Sequence, residues 1–308
     1  MQRRQGQLSL ADGLVKGAKN FLSDAEELID WTEIERQLEG IYNSATGRPS
    51  YPLLTLFKAM LLQQWYGLSD PRTEEALSDS ISFRRFVGLS LADTVPDHST
   101  LSRFRTQLGD RFGKLLEAFN AQLDMRGLII RKGTLIDASF VQSSSKKSRV
   151  DGEAASYGGQ SEGNVFGYKM HAAVDQFSGL VRKVIVTSAN VSDTTAADEL
   201  IMGDEKVVYA DKGYDKHTRR RDLRRRGIFP GLMHRGNKHH PLSAKQKAFN
   251  ERITGLRAPV ERTFGILKQH YRLRRTRYVG LLRTTVQITL ACIAMNIKRA
   301  LVLESAAR

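Results

Sequence analysis

The sequence predicts two domains of different class: an all-α N-terminal domain over residues 1–130, and an α/β domain over residues 131–308 whose mixed sheet is flanked by helices. Three observations predict this division. Before about Lys132 the apolar residues recur at three- and four-residue spacing, the period of a buried helix face. From Gly133 that pattern gives way to short β-rich runs separated by turn residues. Helical spacing returns late and holds to the end, which leaves a run of strands enclosed by helices.

Taken in order, Ser23 is placed to cap a first helix holding Leu28, Ile29, Trp31, Ile34 and Leu38. Pro52 opens a second, with Leu53, Leu56, Phe57, Met60, Leu61 and Trp65 on one face. Asp70-Pro71 starts a third, with Glu74 and Glu75 early, where the helix dipole favours acids. Another starts after Pro96 with Asp97-His98-Ser99-Thr100. Thr134–Val141 then reads as a strand. Val165–Val174 and Leu180–Thr187 read as a hairpin, turned through Gln176-Phe177-Ser178-Gly179. Ser192-Asp193 begins a short helix to Met202, Lys206–Ala210 is a buried strand, Asp215–Arg226 is a helix stopped by Gly227, and Ile228–Met233 is a strand. The last helices are expected to break near Gly255 and near Tyr278-Val279-Gly280, and Pro259 calls for a helix start close to it. Ser143–Gly163 and Arg235–Ser243 read as loops.

At 308 residues the chain can bury one large core or two smaller ones. Its 48 Lys and Arg against 33 Asp and Glu leave a formal charge of +15. Such a bias implies a polyanionic partner, nucleic acid ahead of an anionic membrane surface, and weighs against a small cationic substrate. Val286–Leu303 is the most apolar late segment, but Gln287, Asn296, Lys298 and Arg299 interrupt it, which favours a buried helix over a membrane span. Cys292 is the single cysteine, so no disulfide or thiolate zinc site forms within one chain, which fits a reducing cytoplasm. Met1–Asn20 lacks the continuous apolar stretch of a secretory signal. His239-His240, in a polar loop, reads as solvated.

Against this basic background three acids stand in one order. Asp137 ends Leu135-Ile136-Asp137, Asp211 ends Val207-Val208-Tyr209-Ala210-Asp211, and Glu261 lies in the helical stretch Arg257–Lys268. Singly, Asp137 is a strand-end turn residue, Asp211-Lys212-Gly213 an Asp-x-Gly turn, and Glu261 the partner of Arg257 in an exposed pair. Together, two acids at strand ends and a third on a late helix converge on a divalent metal that works on a nucleic-acid phosphate. With Arg257 at zero and 100° per residue, Glu261 falls at about 40° and Lys268 at about 20°, one charged stripe beside an apolar face of Val260, Phe264 and Leu267. Lys216–Arg226 carries seven Lys and Arg and is favoured as a DNA-backbone contact, with Arg220 and Arg224 as candidates. Arg272, Arg274, Arg275 and Arg277 make a second track. Ser99, Thr100, Arg103 and Arg105 are candidates for reading DNA sequence, with an ordinary structural helix as the equal alternative.

The order β, β, β, α, β, α, β, α, with acids at the first and fourth strands and on a later helix, matches the ribonuclease-H-like arrangement, an analogy that by itself licenses no activity. Asp137-Ala138-Ser139, Asp211-Lys212-Gly213-Tyr214 and Arg257-x3-Glu261-x6-Lys268 resemble the three catalytic blocks of DDE transposases from bacterial insertion sequences. The last block is similar to the Tyr-x2-Arg-x3-Glu-x6-Lys signature of the insertion-sequence-four and insertion-sequence-five groups, and the short segment between Asp211 and Glu261 fits the five group. Pro52–Arg105 resembles that group's N-terminal helical domain. Thr254 stands where the signature has tyrosine, which removes one expected DNA contact. The resemblance implies a cytoplasmic, nucleoid-associated bacterial enzyme that cleaves the ends of its element and joins them to target DNA. It implies Mg²⁺, with Mn²⁺ as a substitute, held by Asp137, Asp211 and Glu261. It also implies double-stranded DNA as partner, with Arg257 and Lys268 on its phosphates, Tyr214 either stacking or packed in the core, and a homodimer that pairs two ends. Two other readings are a catalytically silent DNA-binding descendant and a ribonuclease-H-like structure-specific nuclease.

Overall fold

Side-chain caps set where the N-terminal helices begin in the computed structural model, which describes residues 20–41, 50–145, 155–160 and 163–307. Most of the stretch read as lacking a secretory signal, and residues 146–154 and 161–162 of the expected loop, lie outside the described residues. Asn20, rather than Ser23, accepts from the Leu22 and Ser23 amides and starts α1, Phe21–Leu28. Asp30 caps α2, Trp31–Leu38, so the one helix expected here is two. α3 (Leu53–Tyr66) follows Pro52 and ends on Gly67, whose φ of 68° suits a residue without Cβ. Ser69 caps α4 (Asp70–Asp79), Ser80 caps α5 (Ile81–Val87) and Asp97 caps α6 (His98–Leu108). α7 spans Phe112–Met125. Trp31 meets Phe86 and Phe119 edge to face, and Lys58 lies over the Trp31 ring while pairing with Glu26 at 2.7 Å.

Arg105 corrects one expectation. Its side chain is 3% exposed, and its guanidinium reaches Asp70 Oδ2 at 3.0 Å and Gln63 Oε1 at 3.1 Å. It ties α6 to α3 and α4 and is not available to DNA. Arg103 and Ser99 do face solvent, bonded to each other at 3.2 Å.

The expected strands appear as β1 (Thr134–Gln142), β3 (Gly163–Asp175) and β4 (Val181–Ser188), then β5 (Val207–Ala210) and β6 (Phe229–Leu232). β2 (Ser156–Gln160) lies in the stretch read as loop. Its Gly158-Gly159 has little strand propensity; pairing with Gly163–Gly167 holds it, and a Cβ on Gly158 would stand 2.4 Å from both Phe140 and the Ala189 carbonyl. The sheet order is β2-β3-β1-β5-β6, with β4 also on β3. β3 runs antiparallel to β1, β2 and β4, while β1, β5 and β6 run parallel. Pro230 sits on β6 at an edge, where a missing donor is tolerated.

Between strands come α8 (Asp193–Leu200), a 3-10 turn (Lys212–Tyr214) and α9 (His217–Arg225). α10 runs unbroken over Ala244–Gln269 from a Ser243–Gln246 capping box. The break expected at Gly255 is absent and Pro259 is interior. A buried face of Ile253, Val260, Phe264 and Leu267 continues across the proline, and its burial outweighs the roughly 3 kcal/mol that an interior proline costs. α11 (Leu281–Ala307) starts after the expected break at residues 278–280; Leu281–Ala306 is long and apolar enough to cross a membrane, yet 72% of its most apolar 18-residue window is buried.

The described residues cluster into two units, within Met1–Gln122 plus Ile293–Arg308 and within Leu123–Cys292. The boundary expected at 130/131 kept every C-terminal helix with the sheet; the end of α11 instead belongs to the first unit. The role given to Arg105 is checked by urea unfolding: Arg105→Ala lowers stability by about 3–5 kcal/mol, while Arg103→Ala stays within about 0.5 kcal/mol.

Candidate active site

Strand register brings two of the three expected acids together. β1 and β5 pair in parallel with Thr134 opposite Val208 and Leu135 opposite Tyr209. Asp137 lies two residues further along β1 and Asp211 follows directly after the end of β5, close enough for the Asp211 charge to act on Asp137. β1 does not end at Asp137, as the apolar run suggested, but continues to Gln142. It is β5 that stops, so Asp137 faces the opening that β5 leaves. Asp211 turns the chain there: its Oδ1 accepts the Gly213 amide at 2.7 Å, and a Cβ on Gly213 would lie 2.9 Å from that oxygen.

Asp137 is largely buried, with Oδ1 accepting the Ala138 amide at 2.8 Å and Oδ2 accepting Arg257 Nη2 at 2.7 Å. Arg257 comes from α10, which packs on β1 and β5. Burial pushes the Asp137 carboxyl up to about 6; Arg257 and the Ala138 amide oppose that, while the charges of Asp211 and Asp193 add to it. Tyr214 is 1% exposed, and its hydroxyl has no hydrogen-bond partner among the described residues. Burial first, then the carboxylates of Asp137, Asp193 and Asp211, raise its phenol far above the ordinary value. Among the described residues seven buried side-chain polar atoms have no hydrogen-bond partner; Tyr214 Oη and Arg257 Nε are two of them, while a third, Asp193 Oδ1, is ion-paired with Lys169 at 2.7 Å.

The other expected residues divide. Arg257, assigned to DNA phosphate, is buried against Asp137. Tyr214 packs among Ile136, Ala197, Leu223 and Leu232, the core alternative of its two readings. Arg220 is buried, with Nε on Asp215 at 2.6 Å and Nη2 on the Leu232 carbonyl at 2.6 Å, so it anchors α9 and is no backbone contact. Arg219 is likewise internal. Lys216, Arg221, Arg224, Arg225 and Arg226 remain exposed on and beside α9. Lys268 is half-buried near Arg274, and burial pushes its ammonium down. Glu261 lies one turn after Arg257 but is exposed, and among the described residues no ion pair or hydrogen bond holds its carboxylate. Among the described residues no group of three or more His, Cys, Asp or Glu is assembled for a metal. Val260, Phe264 and Leu267 do form the expected apolar face.

Two stretches of the sequence match protein-family models: residues 10–107 match a transposase domain (DUF772), and residues 130–297 match the transposase DDE domain. The chain belongs to the DDE transposase family. A solved structure described as the cryo-EM structure of a piggyBac transposase synaptic complex with hairpin DNA is similar at 12% sequence identity and a TM-score of 0.45, over 92% of this chain and 73% of that one. In this transposase-family chain the Asp137 and Asp211 carboxylates offer hard oxygen donors of the kind a divalent cation takes, while Arg257, itself a cation, holds one Asp137 oxygen. Asp193 was missed by reading the sequence, because it looks like an ordinary helix-start acid; its proximity comes only from folding.

Two buried groups give opposite pH dependence. Below about pH 4 Asp137 is protonated in both folded and unfolded chains. As pH rises to about 6 the unfolded carboxyl ionises first, so stability falls, by about 3 kcal/mol in all. His171, fully buried and bonded to Thr187 at 2.8 Å, is pushed down to about 4 by burial. The unfolded chain takes up that proton below about pH 6.5, so this contribution is lost as pH drops from 6.5 to 4. In EDTA, urea unfolding across this range should show Asp137→Asn gaining on the parent as pH rises and His171→Gln gaining as pH falls. Two differences that stay flat with pH would contradict the burial account.

Proposed function

We propose that the chain is a Mg²⁺-dependent DNA transposase of ribonuclease-H-like fold, of the insertion-sequence-five group, that cuts the ends of its element and joins them to target DNA. The observation that carries this is the parallel pairing of β1 with β5, which sets Asp137 on β1 near Asp211 just after β5, inside the stretch that matches the transposase DDE domain. The sheet order, with β1 central between an antiparallel β3 and a parallel β5, supports the fold reading.

Asp137 and Asp211 would hold the divalent ions, with Glu261 joining from α10. Bound there, the ions would supply Lewis-acid stabilisation of the charge that builds up in an in-line phosphoryl transfer. Arg257 holds the Asp137 carboxylate in its rotamer through Nη2. The low-dielectric surroundings of Asp137 strengthen each of these interactions. Burial, and then the nearby carboxylates, suppress the ionisation of Tyr214, so its hydroxyl serves as a neutral hydrogen-bond donor and not as a nucleophile. Lys268 and the exposed face of α9 bind DNA backbone, and a homodimer pairs two ends in the bacterial cytoplasm.

One observation favours the silent DNA-binding reading: Glu261 stands apart from the aspartate pair. Incubating the full chain with DNA carrying its own flanking ends and Mg²⁺ separates the two. Cleavage at the element boundary and joining to a second DNA, abolished in Asp137→Asn, Asp211→Asn and Glu261→Gln while end binding survives, supports the transposase. End binding without cleavage in the parent chain supports the silent descendant. Cleavage of junctions without joining would point to a structure-specific nuclease.

DNA affinity should fall steeply with salt through counterion release. Arg224→Ala should flatten the slope of log affinity against log salt by about one, the loss of a single phosphate contact. Arg220→Ala should destabilise the fold with the slope unchanged.

A further inference from the structure

The arginine track at residues 272–277 has no part in that scheme. No Asp or Glu occurs between Glu261 and Glu304, so the track has no acid near it in sequence. Arg272 takes a φ of 58°, which turns the chain out of α10, and the Leu273 amide donates back to the Leu267 carbonyl at 3.1 Å. Tyr271, Leu273 and Thr276 are buried, while Arg272, Arg274 and Arg275 between them are exposed. The residues that pin this segment thus alternate with the cations it displays.

The segment is fastened to the end of β1. The Gln142 amide donates to the Arg274 carbonyl at 3.0 Å, and the Thr276 amide to the Gln142 carbonyl at 2.8 Å, so Arg275 bridges to Gln142 in parallel. The Arg275 guanidinium donates to the Ser143 and Ser144 carbonyls at 3.3 and 2.9 Å. β1 pairs with β3 along its whole length on one side. On its other side it pairs with β5 at Thr134 and Leu135, and with this segment at Gln142. Asp137 lies in the interval between. From Asp137 to Gln142 the strand covers roughly 17 Å, at about 3.3 Å per residue. From Arg257 to Gln269 the helix covers roughly 18 Å, at about 1.5 Å per residue. Strand and helix are therefore joined at both ends of one interval, by the Arg257–Asp137 pair at the first and by the arginine segment at the second.

The carbonyls that Arg275 caps account for that side chain. They do not account for Arg274, whose guanidinium has no hydrogen bond and no ion pair among the described residues. Lys268, in the last turn of α10, is half-buried and also forms no ion pair among them; burial and then the charge of Arg274 push its ammonium down. Two neighbouring cations without a counter-charge are in place for an anion from outside the chain.

We propose that Arg274 grips a DNA backbone phosphate at a fixed distance from the reacting one, so that the segment sets which phosphate reaches Asp137. The proposal rests on the transposase reading, with the reacting phosphate at Asp137. Phosphate contacts carry no sequence information but fix the register of a protein on its duplex. Each strand of B-form DNA presents a phosphate about every 3.4 Å of helix axis, so the interval corresponds to about five nucleotides, or about three to seven with the reach of the side chain.

The test uses the full chain and duplexes of its own flanking ends, each carrying one neutral methylphosphonate at a different position. Binding is measured before Mg²⁺ is added, and Mg²⁺ then maps the cut. In the parent chain a neutral linkage at one position about three to seven nucleotides from the cut should weaken binding about tenfold, the size of a hydrogen bond to a charged group. Arg274→Ala should bind unmodified DNA about tenfold more weakly and lose nothing further at that position. Arg274→Lys, which keeps the charge, should restore part of the affinity. Melting of both variants should match the parent, since the replaced side chain is exposed. Arg274→Ala that binds like the parent, or that stays sensitive at the same position, overturns the proposal, while cleavage by the parent leaves the transposase reading standing. Coupling of Arg274 to a phosphate outside the interval overturns it as well. A parent chain that binds its ends and cuts nowhere sinks the transposase reading and this proposal together.

Discussion

A carboxylate buried in the middle of a sheet needs an opposite charge close by, and Arg257 provides it for Asp137. That pair fixes much else. It requires α10 to cross β1 and β5 at the level of the aspartates, which the Val260, Phe264 and Leu267 face accomplishes. It requires the helix to pass through Pro259, because Arg257 lies just before the proline and the packed face continues beyond it. It also places Glu261 one turn further along, at the rim and exposed.

Much of this was readable because strands and helices obey different periods. β1, β5, β6 and the β3–β4 hairpin were all visible as short apolar runs between turn residues, and α3 as a continuous apolar face after Pro52. β2 was not visible, since Gly158 and Gly159 have no strand preference and the strand exists only through its partner. The uninterrupted course of α10 was hidden for the opposite reason: Gly255 and Pro259 are local breakers that tertiary burial overrides. At the site, Asp137 and Asp211 were legible as acids at the ends of apolar runs, and parallel register makes them neighbours. Asp193 was illegible, because nothing in Ser192-Asp193 separates a helix-start acid from one that folding carries to a carboxylate pair.

Charge was the least local signal. Arg84, Arg105, Arg182, Arg219 and Arg220 are all buried, bonded to carbonyls or acids, and act as crosslinks between elements. Reading the stretch from Lys216 to Arg226 as one basic face therefore mixed two populations. Helical geometry alternates them: Arg219, Arg220 and Leu223 turn inward while Arg221, Arg224 and Arg225 turn outward. Internal Arg–Asp pairs are neutral, so they take nothing from the chain's surplus of +15, and the inference of a polyanionic partner survives the correction.

The central claim is that the opening beside β5, bordered by Asp137 and Asp211 and closed by Arg257, is a divalent-cation site. Anomalous diffraction from crystals of the full chain soaked in Mn²⁺ tests it most directly. The account predicts an anomalous peak within coordination distance of both the Asp137 and Asp211 carboxylates. Manganese found only elsewhere, with the Asp137–Arg257 pair intact and no peak at the aspartates under saturating Mn²⁺, would contradict it.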